Sequence, residues 1–294
     1  MEKYIEIFVN SFFGYYNYLK DEILFTYQYK PWYENYFYAL IFISLFFLLL
    51  EIIIPWRKKQ PILRKDFWLD TFYMFFNFFI LSLIGFAAIS NIFVELFNDF
   101  LSLFGIKNVL AIEVAALPNW AKLTFAFILK DFIHWNVHRL LHKHPRLWEF
   151  HKVHHSVKQM GFAAHLRFHW MERVVYNSIQ YIPLAMLGFG IEEYFAAHII
   201  ALTIGHFNHA NVDINIGWLG YIFNNPRMHI WHHAKHLPKE HPTGVNFGLS
   251  LSIWDYLFKT AYIPSDGRDI ELGFENDEKF PKKFLAQEFH GLKK

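Results

Sequence analysis

Apolar residues in this chain come in long blocks, and the polar residues gather between and after them. Tyr36 to Ile54 runs 19 residues with one charge, Glu51, near its end. That approaches the ~20 apolar residues needed to cross a ~30 Å hydrocarbon core, and predicts a first transmembrane helix. Pro55 ends it, and Trp56 with Arg57, Lys58 and Lys59 forms an interfacial anchor. A second apolar block spans about Phe67 to Ile89, with Asp70 near its start. Trp120 to about Leu141 begins as a third span, then takes on Lys130, Asp131 and the first histidines. Its outer half is expected to face lipid and its inner half a site. From Val174 to about His206 the chain is apolar again, interrupted by Gly188, Gly190, Glu192 and Glu193. Either one long span plus a buried helix or a hairpin of two short helices fits. The hairpin is favoured because it returns the histidines that follow to the side of those that precede, and a break at membrane depth needs protein or water over its backbone.

The flanks are mixed. Residues 1–35 are aromatic and suit a helix in the membrane interface; residues 91–119 are expected to lie along that interface as well. Residues 264–294 form a polar, charged tail, expected to pack on the cytoplasmic part or to be partly mobile. The 55–66 loop carries Arg57, Lys58, Lys59, Arg64 and Lys65 against Asp66, while residues 1–35 hold three Lys against five acids. The positive-inside rule makes the basic loop cytoplasmic. The fold class expected is all-α: an integral membrane helical bundle of about four transmembrane helices with a cytoplasmic, histidine-rich di-metal cap. Its parts would be an N-terminal membrane region over 1–119, a catalytic domain over 120–263 and the tail over 264–294.

Composition sharpens this. Hydrophobic residues make up 54% and aromatics 21%, with 35 Phe, more than a soluble enzyme needs. The net charge of +2 gives no argument for nucleic acid. The absence of cysteine excludes disulfides, thiolate-bound zinc, iron–sulfur clusters and a thiolate-ligated haem. The N-terminus has no small-residue cleavage site and does not resemble a cleaved signal peptide.

Of 18 histidines, nine lie between Asp131 and Glu172 and seven between His206 and His241. Imidazole is the commonest side-chain metal ligand near neutral pH, and the spacing carries more than the number. His138 and His142 form HxxxH, which on a helix puts both rings on one face. His151, His154 and His155 form HxxHH, and His229, His232 and His233 repeat it. Neighbouring histidines on a helix diverge by about 100°, enough to serve two adjacent metals. His206 and His209 stand three apart on the expected returning helix. These ten imidazoles could supply two metals with about five each. A lone HxxxH is more often a packed pair than a site. Two HxxHH boxes with an HxxxH in one cysteine-free membrane chain reverse that judgement.

The remaining histidines are weighed singly. His134, one turn before His138, is a candidate ligand or a donor behind one; His169, His236, His241 and Asn211 are candidates of the same kind. Asp131, two turns before His138, is expected to accept from a ligand imidazole and orient it. His144, His165, His198 and His290 are expected to be turn, supporting, core and tail residues.

The pattern from about Asp131 to Tyr262 resembles the fatty acid hydroxylase / sterol desaturase superfamily of membrane-bound non-haem di-iron oxygenases. The match includes His138-Arg139-x-x-His142, Leu147-Trp148-x-x-His151-x-x-His154-His155-Ser156 and Arg167-x-His169-x-x-Glu172. It continues with His209-Ala210-Asn211, Asn225-Pro226 before His229-x-x-His232-His233, Asn246-Phe247-Gly248 and Trp254-Asp255-x-Leu257-Phe258. The family often has Pro where Trp170 stands, Tyr where Phe247 stands and Gly where Lys259 stands. The resemblance implies two iron ions, with zinc the substitute to expect in purified or crystallised protein, and no haem, flavin or nucleotide site. It implies a lipid substrate from the bilayer, dioxygen, and an external electron donor such as a ferredoxin or a small haem protein with its reductase. The reaction implied is hydroxylation of an unactivated C–H bond, with desaturation the close alternative. A histidine-rich transporter should instead place polar ligands across the bilayer midplane, and zinc hydrolysis needs an open coordination position that a closed imidazole shell lacks.

Overall fold

A computed structural model describes residues 2–26, 35–77, 90–105, 114–189 and 191–292. Among the described residues the fold is all-α: eleven helices with short 3-10 turns, and β-pairing limited to three isolated bridges. The helices are α1 (Glu2–Leu24), α2 (Tyr36–Ile53), α3 (Phe67–Phe76), α4 (Ser90–Ser102), α5 (Asn119–Lys143) and α6 (Pro145–His155). They continue as α7 (Trp170–Met186), α8 (Ile191–His209), α9 (Pro226–His232), α10 (Ile253–Leu257) and α11 (Phe284–Glu288).

The helix that the apolar pattern marks most clearly is α2. The Asn35 side chain caps it by accepting from Tyr38 N at 2.9 Å, satisfying one of the first-turn N–H groups that a helix leaves unpaired. Only its inner face, through Leu40, Ile43 and Phe47, is buried. Phe42, Leu45, Phe46, Leu49 and Ile53 point outward, a surface too apolar for water and suited to lipid. Among the described residues α2 is the one helix long and apolar enough to cross a membrane, where the sequence suggested about four. The second expected span begins as α3, and its remainder, 78–89, lies outside the described residues. The third forms the 25-residue helix α5, but Lys130, Asp131 and its histidines lower its hydropathy. The 174–206 block is two helices, α7 and α8, broken near Gly188, whose φ of 86° is left-handed, a region in which glycine has no Cβ to clash.

α5 packs on α6, α7 and α8, and α8 also packs on α2 and α9. The main apolar core, containing Leu40, Phe47, Met74, Phe162, Leu166 and Leu202, lies among these helices. The one charge of α2, Glu51, is 6% exposed and accepts from Phe162 N and Asn211 N, each at 2.8 Å. Asn211, a candidate behind a ligand, instead ties this corner together, its Oδ1 accepting from Arg57 N at 2.9 Å. The end of α8 is thereby fixed to the end of α2 where the basic loop begins. Nearby, Asp70 is fully buried between two guanidinium groups, Arg64 at 2.5 Å and Arg167 at 3.0 Å.

The polar tail is packed. Glu288 accepts from Trp170 N at 3.1 Å, Gln287 Oε1 accepts from the Tyr73 hydroxyl at 3.0 Å, and His290 bonds Glu149 at 2.9 Å. Breaking a buried pair by removing one partner strands the other charge and costs about 3–5 kcal/mol. Asp70→Ala should therefore lower the thermal unfolding midpoint sharply in detergent, while Asp266→Ala, on an exposed turn, should leave it in place.

Candidate metal centre

Four helices bring nine of the ten box imidazoles to one place. α5 supplies His138 and His142, α6 supplies His151, His154 and His155, α8 supplies His209, and α9 with its C-cap supplies His229, His232 and His233. The short helices α6 and α9 form because each starts on proline, which suits the first helical position. At α9 the Asn225 side chain also accepts from Met228 N.

The nine sort into two groups. His138, His142, His151, His155 and His232 form one; His154, His209, His229 and His233 form the other. Within each, one nitrogen per ring lies within 4.8 Å of all the others. Each HxxHH box is divided between them: His151 and His155 go to the first group and His154 to the second, while on α9 His229 and His233 go to the second and His232 to the first. The nearest pairs are Nε2 to Nε2: His138–His151 and His155–His232 at 3.1 Å, His154–His209 at 3.3 Å, His209–His229 at 3.0 Å and His229–His233 at 3.2 Å. Nitrogens bound to one ion at about 2.1 Å stand roughly 3–4 Å apart.

The surroundings decide what these nitrogens can do. His138 Nδ1 donates to the Phe247 carbonyl at 2.7 Å, His232 Nδ1 to the Val245 carbonyl at 2.8 Å and His209 Nδ1 to the Gly205 carbonyl at 2.8 Å. A carbonyl only accepts, so the proton of each ring is on Nδ1, and the Nε2 lone pair faces inward. Burial, reinforced by the neighbouring imidazoles, holds His151, His154, His155, His229, His232 and His233 well below the usual histidine range, hence neutral. His142 Nε2, His154 Nδ1 and His233 Nδ1 are buried with no hydrogen-bond partner. Inward lone pairs, neutral rings and the orphaned His142 Nε2 at this spacing are what a pair of divalent cations would satisfy, so the residues fit such ions.

The supporting shell was only partly legible in the sequence. Glu172 Oε1 accepts from His151 Nδ1 at 2.9 Å, the role expected of Asp131. A single acid at the start of an apolar helix was the available signal. Burial pushes Glu172 well above the usual carboxylate range. Asp131 instead accepts from Ser250 N, Leu251 N and Trp254 Nε1 at 3.0–3.2 Å, because its side chain meets loop N–H groups rather than a ring. Asp255 accepts from Phe247 N, Gly248 N, Trp135 Nε1 and Thr260 Oγ1, and so holds the loop whose carbonyls orient His138 and His232.

The other candidates lie apart from the two groups. His206 bonds His165 Nδ1 at 2.9 Å and Ser44 Oγ at 3.1 Å. His165 lies over Gly205, where any Cβ would stand 2.2 Å from its ring, and its ring is 5.2 Å from that of His209. His134 pairs with Gln180 at 2.7 Å. His169 caps α7 by accepting from Met171 N at 3.0 Å. His236 is exposed beside Glu271, and His241 packs on Tyr262. A cavity of about 680 Å³ opens onto His142, His155 and His232, and Lys143, Lys152, Lys235 and Lys239 stand around it.

Comparison with known proteins places this centre. The sequence pattern of the fatty acid hydroxylase family matches residues 123–260. The ornithine lipid hydroxylase OlsE of Rhizobium tropici is 34% identical over 170 residues, 58% of this chain and 50% of that protein. The human alkylglycerol monooxygenase is 31% identical over 137 residues, 46% of this chain and 29% of that protein. Methylsterol monooxygenase 1 of Rattus norvegicus is 26% identical over 152 residues, 49% of each chain. The chain thus spans half or less of the length of these relatives. No solved structure matches. The matched segment contains every histidine of both groups and the loop that orients them, and over it the chain is similar to the fatty acid hydroxylase family.

Proposed function

We propose that this chain is a membrane-bound di-iron lipid monooxygenase that inserts oxygen into an unactivated C–H bond. The observation that carries the reading is the pair of adjacent all-imidazole groups with lone pairs locked inward, at the end of a helix whose outer face suits lipid. One iron would be held by His138, His142, His151, His155 and His232, the other by His154, His209, His229 and His233. Imidazole suits iron, copper and zinc alike; the resemblance to the fatty acid hydroxylase family favours iron. When bound, the iron pair supplies the activation of dioxygen that breaking an alkyl C–H bond requires. The relatives are named hydroxylase or monooxygenase, which favours oxygen insertion over desaturation.

The chain's own residues perform placement. Glu172 holds the proton on His151 Nδ1, keeping Nε2 as the donor and strengthening it. The 245–248 loop does the same for His138 and His232 through its carbonyls. Phe168, stacked on His154 at 4.9 Å, and Trp148, 4.9 Å from His142, cover the rings and limit water. The substrate would enter from the bilayer, with the anchoring region over 1–119, the metal-bearing region over 120–263 and the 264–294 tail packed beneath. The basic loop at the end of α2 supports a cytoplasmic position for the centre. The lysine-rimmed opening suits an acidic external electron carrier, a ferredoxin or small haem protein, whose approach would be steered by charge.

Anaerobically purified protein should contain about two irons per chain. His151→Ala or His229→Ala should lose metal and hydroxylase activity together, whereas His236→Ala should keep both; one haem or a single zinc in the native protein would refute the assignment. Glu172→Gln should weaken metal retention about 10–100-fold, read by competition with a chelator of known affinity. Lys143→Glu with Lys239→Glu should slow reduction by an acidic carrier and flatten its salt dependence, while dithionite reduces the variant as fast as the parent.

A further inference from the structure

A second group of charges stands apart from the imidazole groups. Lys130 of α5 is 4% exposed, and Arg173 lies in the first turn of α7. With His134, Gln180 and His198 they line a cavity of about 30 Å³, and His165 and Phe168 also stand in its wall. Among the described residues no carboxylate lies within ion-pair reach of either cation, although Lys122 and Arg167 close by in sequence have Glu193 and Asp70. The two acids adjacent in sequence are committed elsewhere, Asp131 to Ser250, Leu251 and Trp254, and Glu172 to His151.

What the cations do contact leaves them incomplete. The Lys130 ammonium stands 5.5 Å from the centre of the Tyr194 ring, and Arg173 bonds the Tyr36 hydroxyl. Arg173 Nε and His198 Nδ1 are buried with no partner. A cation removed from water is tolerated when an anion or a full set of acceptors meets it, and ionisable side chains among apolar helices face a cavity or a partner. Among the described residues the neighbouring acids Asp131 and Glu172 are already engaged, which leaves the site suited to a charge brought by a ligand. The cavity is small, which suits the compact head group of a carboxylate. Leu166, Ala201 and Leu202 continue its wall and suit an alkyl chain. His165, in its wall, has its ring 5.2 Å from that of His209.

We propose that Lys130 and Arg173 bind the carboxylate of an acidic lipid beside the second histidine group. That this lipid is the substrate rests on the monooxygenase reading; the binding site itself does not. The test uses the full chain in uncharged detergent, titrated calorimetrically with dodecanoate, dodecyl phosphate and dodecanol, with iron measured on each preparation. Dodecanoate should bind about tenfold or more tightly than dodecanol. Lys130→Met and Arg173→Gln should each erase most of that preference without changing the iron content, and Lys130→Arg should keep it. Equal binding of acid and alcohol by the parent protein, or tighter binding of dodecyl phosphate than of dodecanoate, would overturn the proposal, and the parent comparison holds even if a variant fails to fold. Acid preference in a protein that carries no iron would support this site while sinking the di-iron reading.

Discussion

Neutral imidazoles whose lone pairs converge repel one another, and much of the histidine-bearing half of the fold serves to hold them together. For His138, His209, His232 and His151 the proton is parked outward on an acceptor that will not let the ring turn. Backbone carbonyls do this for His138, His209 and His232, and Glu172 accepts from His151. Those acceptors need fixing in turn. Asp255 gathers four donors around the 245–248 loop, and Asn246, at a left-handed φ of 54°, bonds Met228 and Tyr262 with its side chain. Asparagine tolerates that backbone region better than most residues. The loop is therefore as much a part of the centre as the boxes.

The same economy couples the centre to the apolar helix α2. Glu51 is the one charge in α2, and its carboxylate bonds both the turn that begins at Phe162 and the residue that follows α8 by two positions. Asp70 ties α3 to Arg64 and Arg167. Buried charges of this kind are weak sources of net stability. They do bring segments distant in sequence to one corner, and the end of α2 is held beside the end of α8 in consequence.

Where local periodicity carried the information, the sequence was a good guide. HxxxH and HxxHH are helical spacings, so convergence of His138 with His142 and the divergence of His154 from His155 follow from 3.6 residues per turn. The break between α7 and α8 was likewise marked by its glycines. What depended on tertiary contacts was not readable. Asp131 and Glu172 are both acids within reach of a box; which one meets a ring is settled by the packing of α7 on α6 and α5. His206 and His209 look equivalent as i and i+3, yet one turns to Ser44 and His165 and the other to His154 and His229. The tail looked polar because its buried residues, Gln287 and Glu288, are themselves polar and pair with Tyr73 and Trp170. Hydropathy cannot distinguish that from solvation.

The division of each HxxHH box between the two groups has a mechanical consequence. His154 and His155 are neighbours on one rigid helix, and so are the His232–His233 pair at the end of another; each pair straddles the two groups from opposite sides. The separation of the groups is thus gauged twice by the width of a single peptide unit, not by how two helices happen to slide. Thermal drift of α5 or α8 can move the rim of either group, but to change the distance between them α6 and α9 would have to unwind. Two sites that must keep a constant spacing gain their tolerance from that short ruler.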